Sequence, residues 1–150
     1  MSAPKKRLND ALRVAAIAAL PLLILVAVVG LFGHKQLETM QVGGQTYHLE
    51  LAKTATQQTI GLGNRKSMAI DHGMLFIMAG DNKQCFWMKN MRFPLDIIWV
   101  GSNHKVTHLQ PRVEPNTYPQ EYCAPAKYVI ELNAGQAAKS HIVQDQTLTF

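Results

Sequence analysis

Arg65, Trp87, Lys89, Asn90 and Asp96 are polar or aromatic residues set within or beside the most apolar blocks of this sequence. Two cations, an amide, an indole and a carboxylate in such surroundings suit an anionic or sugar-like ligand. Lys89 and Arg65 would supply positive charge, Asn90 hydrogen bonds and Trp87 a stacking wall. The same residues have a structural reading. Asp96 can pair with Arg65 or Lys89, or accept backbone donors in a turn, while Asn90 satisfies a strand end. Trp87 and Met88 fit a core equally well. A hydrolase or transferase would instead use Asp96 with Lys89 or His72. Ser2, Ser67, Ser102 and Ser140 lie in no nucleophile motif, and no nucleotide loop of Walker or Rossmann type occurs. Asp71 and Asp96 form a carboxylate pair only if the fold brings them together. The balance is against an enzyme, and catalytic residues stay unassigned.

Cys85 and Cys123 are expected to form a disulfide, which would close a long loop and contribute roughly 4 kcal/mol in the chain-entropy model. Two free thiols are the alternative. His104 and His108 would share a face on a helix, but on the strand expected there four residues span about 13 Å, too far for one ion. With no clustered Cys/His motif, neither a metal nor another cofactor is expected.

Positioning these residues falls to a run of short elements. Gly43-Gly44 separates Met40–Val42 from Gln45–Ala52 and predicts a tight hairpin, with Tyr47, Leu49 and Leu51 facing inward. Thr54 followed by Gln57 is a capping box for a short helix that Gly61 and Gly63 close. Met74–Met78 and the Cys85–Met91 run are expected to pair antiparallel around a turn at Gly80–Lys83. Leu95–Val100 should pair with Lys105–Gln110 through Gly101-Ser102-Asn103. Pro111 to Pro125 carries four prolines and reads as a long loop. Lys127–Leu132 is an expected strand with Tyr128, Ile130 and Leu132 on one face. A helical piece around Ala137-Ala138 and a last strand at Leu148–Phe150 complete the chain.

Charge and hydropathy divide the chain in two. Residues 1–13 carry a net charge of +3, and residues 34–150 only +2. No basic patch with interleaved aromatics occurs, so nucleic acid is not an expected partner. Residues 14–33 hold no charged residue and, as a helix, would span about 30 Å, one bilayer core. The preceding cations predict a single-pass anchor with a cytoplasmic N-terminus and an extracytoplasmic remainder. Cleavage as a signal peptide, near Val28-Val29-Gly30, is the competing reading and would leave a secreted or periplasmic domain.

Several blocks resemble one family. Gly61-Leu62, Arg65, Asp71-His72-Gly73-Met74-Leu75-Phe76, Phe86-Trp87-Met88-Lys89-Asn90, Pro94-Leu95-Asp96-Ile97-Ile98 and Ala126–Leu132 are similar, in order and spacing, to the domain of unknown function 192 family of bacteria and archaea. The resemblance covers residues 40–150. It implies a compact, mostly β domain with small helices, often behind a signal or anchor, and it implies no activity. The chain departs from the family pattern at Gly63, where Met is usual, and at Gln144-Asp145-Gln146, where a Gly-Asp turn is usual.

The expected organisation is a basic stub at residues 1–13, a transmembrane helix at 14–33, a tether at 34–39 and an extracytoplasmic domain at 40–150. That domain is expected to be mostly β (α+β), barrel- or sandwich-like, with short helices. The expected role is an envelope binding or accessory module for a small-molecule or glycan ligand. A hydrolase or transferase, and a domain docking an envelope protein, are the alternatives.

Overall fold

The computed structural model describes residues 36–150. The expected basic stub, the expected membrane segment and the alternative cleavage site lie outside them. Among the described residues no helix is long and apolar enough to cross a membrane. Lys35–Phe150 is a compact unit in its own right.

Six strands form one mixed sheet: β1 (Leu37–Val42), β2 (Gln45–Ala52), β3 (His72–Phe86), β4 (Leu95–Val100), β5 (Val106–Val113) and β6 (Tyr122–Asn133). Their spatial order is β1-β2-β3-β6-β4-β5. β2 and β3 run parallel, and every other neighbouring pair is antiparallel. Two short helices complete the unit, α1 (Ala55–Ile60) and α2 (Gln136–Lys139), with a 3-10 turn at Pro115–Thr117. The mostly β expectation holds.

Local signals produce the elements they predict. Gly43 and Gly44 both take positive φ, 54° and 72°, as a two-residue hairpin turn requires. A side chain at Gly43 would also put its Cβ 2.1 Å from the Ser140 carbonyl oxygen. At α1 the Thr54 hydroxyl accepts from Gln57 N–H, and the Gln57 side chain accepts from Thr54 N–H, so the capping box is complete. The alternation in β2 buries Tyr47, Leu49 and Leu51 as expected.

Long-range pairing departs from expectation in three places. Met74–Met78 and Cys85-Phe86 are not partners around a turn; they belong to one bent strand, β3, and both halves pair with β6. The expected turn at Gly80–Lys83 is a bulge in that strand, where the register shifts between Ile77 and Asn82. Lys127 fills the gap, its Nζ donating to the carbonyls of Met78 and Ala79 at 2.6 and 3.1 Å. The strand ends at Phe86, so Trp87–Met91 is a loop. The expected 111–125 loop is shorter than its prolines suggest, because β5 reaches Val113 and β6 starts at Tyr122. Pro125 is accommodated because β4 pairs only with residues 128–133 of β6, leaving that stretch without a β4 partner on its second edge. In place of a strand at Leu148–Phe150 the C-terminal residues make two single bridges, Thr149 to Gln41 and Thr147 to Lys105.

The sheet is covered on both faces. One cluster gathers Tyr47, Leu49, Leu51, Leu75, Ile98, Val100, Ile130 and Leu132. The other gathers Met74, Phe76, Phe86, Leu95, Ile97, Trp99, Val113 and Val129. All six residues of β4 are therefore buried.

Cys85 and Cys123 face each other across β3 and β6 and are joined as a disulfide, with Cα atoms 4.1 Å apart. The bond closes a loop with a sequence separation of 38. Allowing for residual structure in the unfolded chain, reduction is expected to remove about 3 kcal/mol of stability. Thermal melts with and without a dithiol reductant check this; coincident melts would rule out a stabilising role.

Candidate functional site

A cleft of about 250 Å³ opens between α1 with the turn after it and β3, where Phe76, Met78, Cys85 and Phe86 line it. Ile60, Leu62, Phe76, Phe86 and Met91 contribute apolar wall, Gln58 and Thr59 lie along the helix side, and the loop after β3 adds Trp87 and Lys89. Cys85 also lines it, so the disulfide ties one wall to β6. Trp87 is 42% exposed although it lies in an apolar block. Lys89 is exposed at the mouth, with its Nζ 5.8 Å from the centre of the Tyr118 ring.

The deep side of the cleft holds Glu131, a residue the sequence reading passed over. It lies on β6 between Met74 of β3 and Ile97 of β4, its register partners, and is only 5% exposed. Among the described residues its carboxyl has no hydrogen-bond partner. Burial pushes its pKa up from 4.5 to about 8, against an opposing pull from the Arg65 charge. An acid of this kind is mostly protonated at neutral pH and can donate a hydrogen bond.

The five residues singled out from sequence separate into distinct settings. Trp87 and Lys89 line the cleft. Arg65 does not; its guanidinium makes a two-pronged pair with Glu50 of β2, at 2.6 and 2.8 Å. That pairing holds the Arg65 pKa above its ordinary value, the hydrogen bond outweighing the cost of burial. Asn90 is a turn residue with φ of 59°, and its carbonyl accepts from Asn64 N–H at 2.9 Å. This bond ties the loop carrying Lys89 to the turn after α1. Asp96 is fully buried, and its two oxygens accept from Arg112 N–H at 2.9 Å and Ala137 N–H at 2.8 Å. Of the two kinds of partner expected for it, Asp96 has the backbone donors and not Arg65 or Lys89.

Other chemical candidates are occupied elsewhere. His72 contacts Asp71 through Nδ1 at 2.8 Å, and that contact holds the exposed Asp71 carboxyl below the usual range. His104 stacks on Phe150, and His108 packs against Trp99. Among the described residues, metal-ligating types gather only at Cys85, Cys123 and Glu121, where the two sulfurs are bonded to each other.

Residues 38–150 match the family described as uncharacterized ACR, domain of unknown function 192. The chain belongs to that family. Two solved structures are similar to this domain of unknown function 192 protein. One is a protein of unknown function from Novosphingobium aromaticivorans, with 29% identity and a TM-score of 0.73, covering 79% of this chain and 89% of that one. The other, from Sinorhizobium meliloti, is described as a "putative transcription regulator"; it shares 30% identity with a TM-score of 0.70, covering 77% of this chain and 94% of that one. No curated protein matches the chain.

The signal for Glu131 was present in this family member's own sequence, but in a neighbouring strand. Leu95–Val100 is apolar without alternation, apart from Asp96, which predicts a strand covered on both faces. A strand flanked by it on one side and by β3 on the other, as β6 is, is then covered on both faces. Glu131, opposite Tyr128, Ile130 and Leu132 on β6, turns toward the second core rather than toward water.

Proposed function

We propose that the domain is a binding module of the cell envelope, taking an anionic or sugar-like small ligand in the cleft of Trp87, Lys89 and Glu131. The observation that carries this reading is a half-exposed indole and a cation lining the same concavity as a buried carboxyl that has no hydrogen-bond partner among the described residues. An aromatic face beside a few converging polar groups is the usual composition of a small-ligand site. The volume suits a single ring-sized ligand better than an extended polymer. Arg65, Asn90 and Asp96 contribute by holding the scaffold, through Glu50, Asn64 and α2.

The anchor at residues 14–33 would place this module outside the membrane, single-pass, with its N-terminus in the cytoplasm. We also read the sheet as barrel-like, since C-terminal residues reach both edge strands, Thr149 bridging to Gln41 of β1 and Asp145 and Gln146 hydrogen-bonding with Val106 of β5. A hydrolase or transferase built on Asp96 with Lys89 or His72 gains no support, because Asp96 is saturated by backbone donors and His72 is engaged by Asp71. Docking of an envelope protein draws support from Ile60 and Trp87, exposed apolar residues on the cleft lining.

Isothermal titration calorimetry of the full-length chain and its variants with monosaccharides, sugar acids and inorganic phosphate tests the binding reading, with tryptophan fluorescence of the wild type as a second readout. Trp99 is fully buried, so a change in the exposed indole reports on the cleft. Trp87→Ala is expected to weaken binding by about tenfold, of the order of 1–2 kcal/mol, with the unfolding midpoint unchanged. Saturable binding that is indifferent to Trp87→Ala would move the site elsewhere. No binding across the panel would favour the docking reading, to be pursued by cross-linking in native membranes.

A further inference from the structure

Resting on that reading of the cleft, we infer that its ligand is an acidic sugar, with a hydroxyl edge hydrogen-bonded to Glu131, its ring against Trp87 and its anionic substituent at Lys89. Three features of the lining converge on this one class. Glu131 is more than nine-tenths buried, lines the cleft and has no hydrogen-bond partner among the described residues. It is therefore a polar group whose partner must come from what enters. As a neutral acid it offers one donor and one acceptor side by side, which adjacent hydroxyls of a sugar complement by accepting one bond and donating the other.

The charges around the cleft decide against a cation. Lys89 is the one basic residue on the lining and Glu131 the one acidic residue. Arg65, held by Glu50 of β2, adds its field at Glu131. With Glu131 protonated, the groups facing the cleft present positive charge and no compensating carboxylate. An amine would meet Lys89, the one cation on the lining, with no ionised carboxylate beside it, whereas a carboxylate or phosphate on the solvent side of the ring would meet Lys89 favourably. Trp87 then covers the apolar face of the ring.

Glucuronate and glucose 1-phosphate probe the carboxylate and phosphate versions, with glucose and glucosamine as neutral and cationic references, all titrated against the full-length chain. At least one acidic sugar is expected to bind about tenfold tighter than glucose, and Lys89→Ala to erase that margin. Glu131→Ala should weaken binding about tenfold or more, while Glu131→Gln, which keeps a donor and an acceptor, should stay within about threefold. Above pH 8 the free carboxyl ionises, so wild-type affinity should fall roughly 30-fold by pH 9.5, and that fall should vanish in Glu131→Gln.

Equal binding of glucose and both acidic sugars, weakened alike by Trp87→Ala, would overturn the acidic-sugar inference and leave the binding cleft standing. Preference for glucosamine would overturn it too, as would the same loss of affinity with pH in wild type and Glu131→Gln. Absence of binding by every probe would remove both readings together.

Discussion

Replacing Asp96 with alanine is expected to lower the unfolding midpoint by about 12–20 °C. The carboxylate is fully buried and serves two backbone donors from distant segments. Arg112 lies where the β4–β5 register shifts between Leu95 and Ile97, and its φ is 51°, so its N–H turns out of the ladder and finds the carboxylate. Ala137 is in the first turn of α2, whose N-cap, Gly135, has no side chain to offer. Asp96 thus acts as the helix cap from another strand. Alanine would leave the buried Ala137 N–H without an acceptor, at about 2–3 kcal/mol, and the part-buried Arg112 N–H likewise, at about 1–2 kcal/mol, or about 3–5 kcal/mol together. Asparagine keeps one acceptor but turns an NH2 toward the second donor, so it should fall between alanine and wild type. Circular dichroism melts of the two variants give the test. A midpoint within about 5 °C of wild type for Asp96→Ala would show that water replaces the carboxylate and that the buried-donor argument fails.

What the sequence disclosed depended on the range of the interaction. The Gly43-Gly44 turn, the Thr54 capping box and the Leu95–Val100 hairpin with its partner strand are each specified within a few residues, and each is present. The insertion of β6 between β3 and β4 has no local signature. Two hydrophobic runs joined by Gly-Asp-Asn-Lys read as a hairpin, and only Lys127, far along the chain, converts that turn into a bulge by capping its carbonyls. The same limit applied to the site. Trp87 and Lys89 stood out because polar and apolar residues alternate abruptly around them, and both line the cleft. Asp96 stood out for the same reason and is structural. A buried carboxylate looks alike in sequence whether it meets a ligand or two backbone amides, because the donors come from residues 16 and 41 positions away. Glu131 was hidden by its neighbours: one face of β6 reads as core, which in a two-layer picture sends Glu131 to solvent.

Glu131 should also make the domain progressively less stable as the pH rises from about 4.5 to about 8. In the folded state the carboxyl is held among Met74, Ile97 and the apolar cleft wall, and it keeps its proton until about pH 8; in the unfolded chain it loses it near 4.5. Between those values the native state binds the extra proton, so the slope of unfolding free energy with pH is negative. The contribution is fully present below pH 4.5, declines through the neutral range and is gone above about pH 8. Its size over the whole window is roughly 4–5 kcal/mol. Carboxyls held low by hydrogen bonds, Asp71 and Asp81, act in the opposite sense and at lower pH. The comparison of wild type with Glu131→Gln isolates the one group, because glutamine has similar shape and cannot ionise. Denaturant unfolding from pH 4.5 to 9 should show Glu131→Gln gaining on wild type throughout, reaching a lead of about 4 kcal/mol at pH 9. Parallel profiles would mean that water or a shift of Arg65 solvates the carboxylate in the folded state. A lead that appears as expected would show that burial of this acid lowers stability at neutral and higher pH, a loss that the binding role proposed for the cleft would account for.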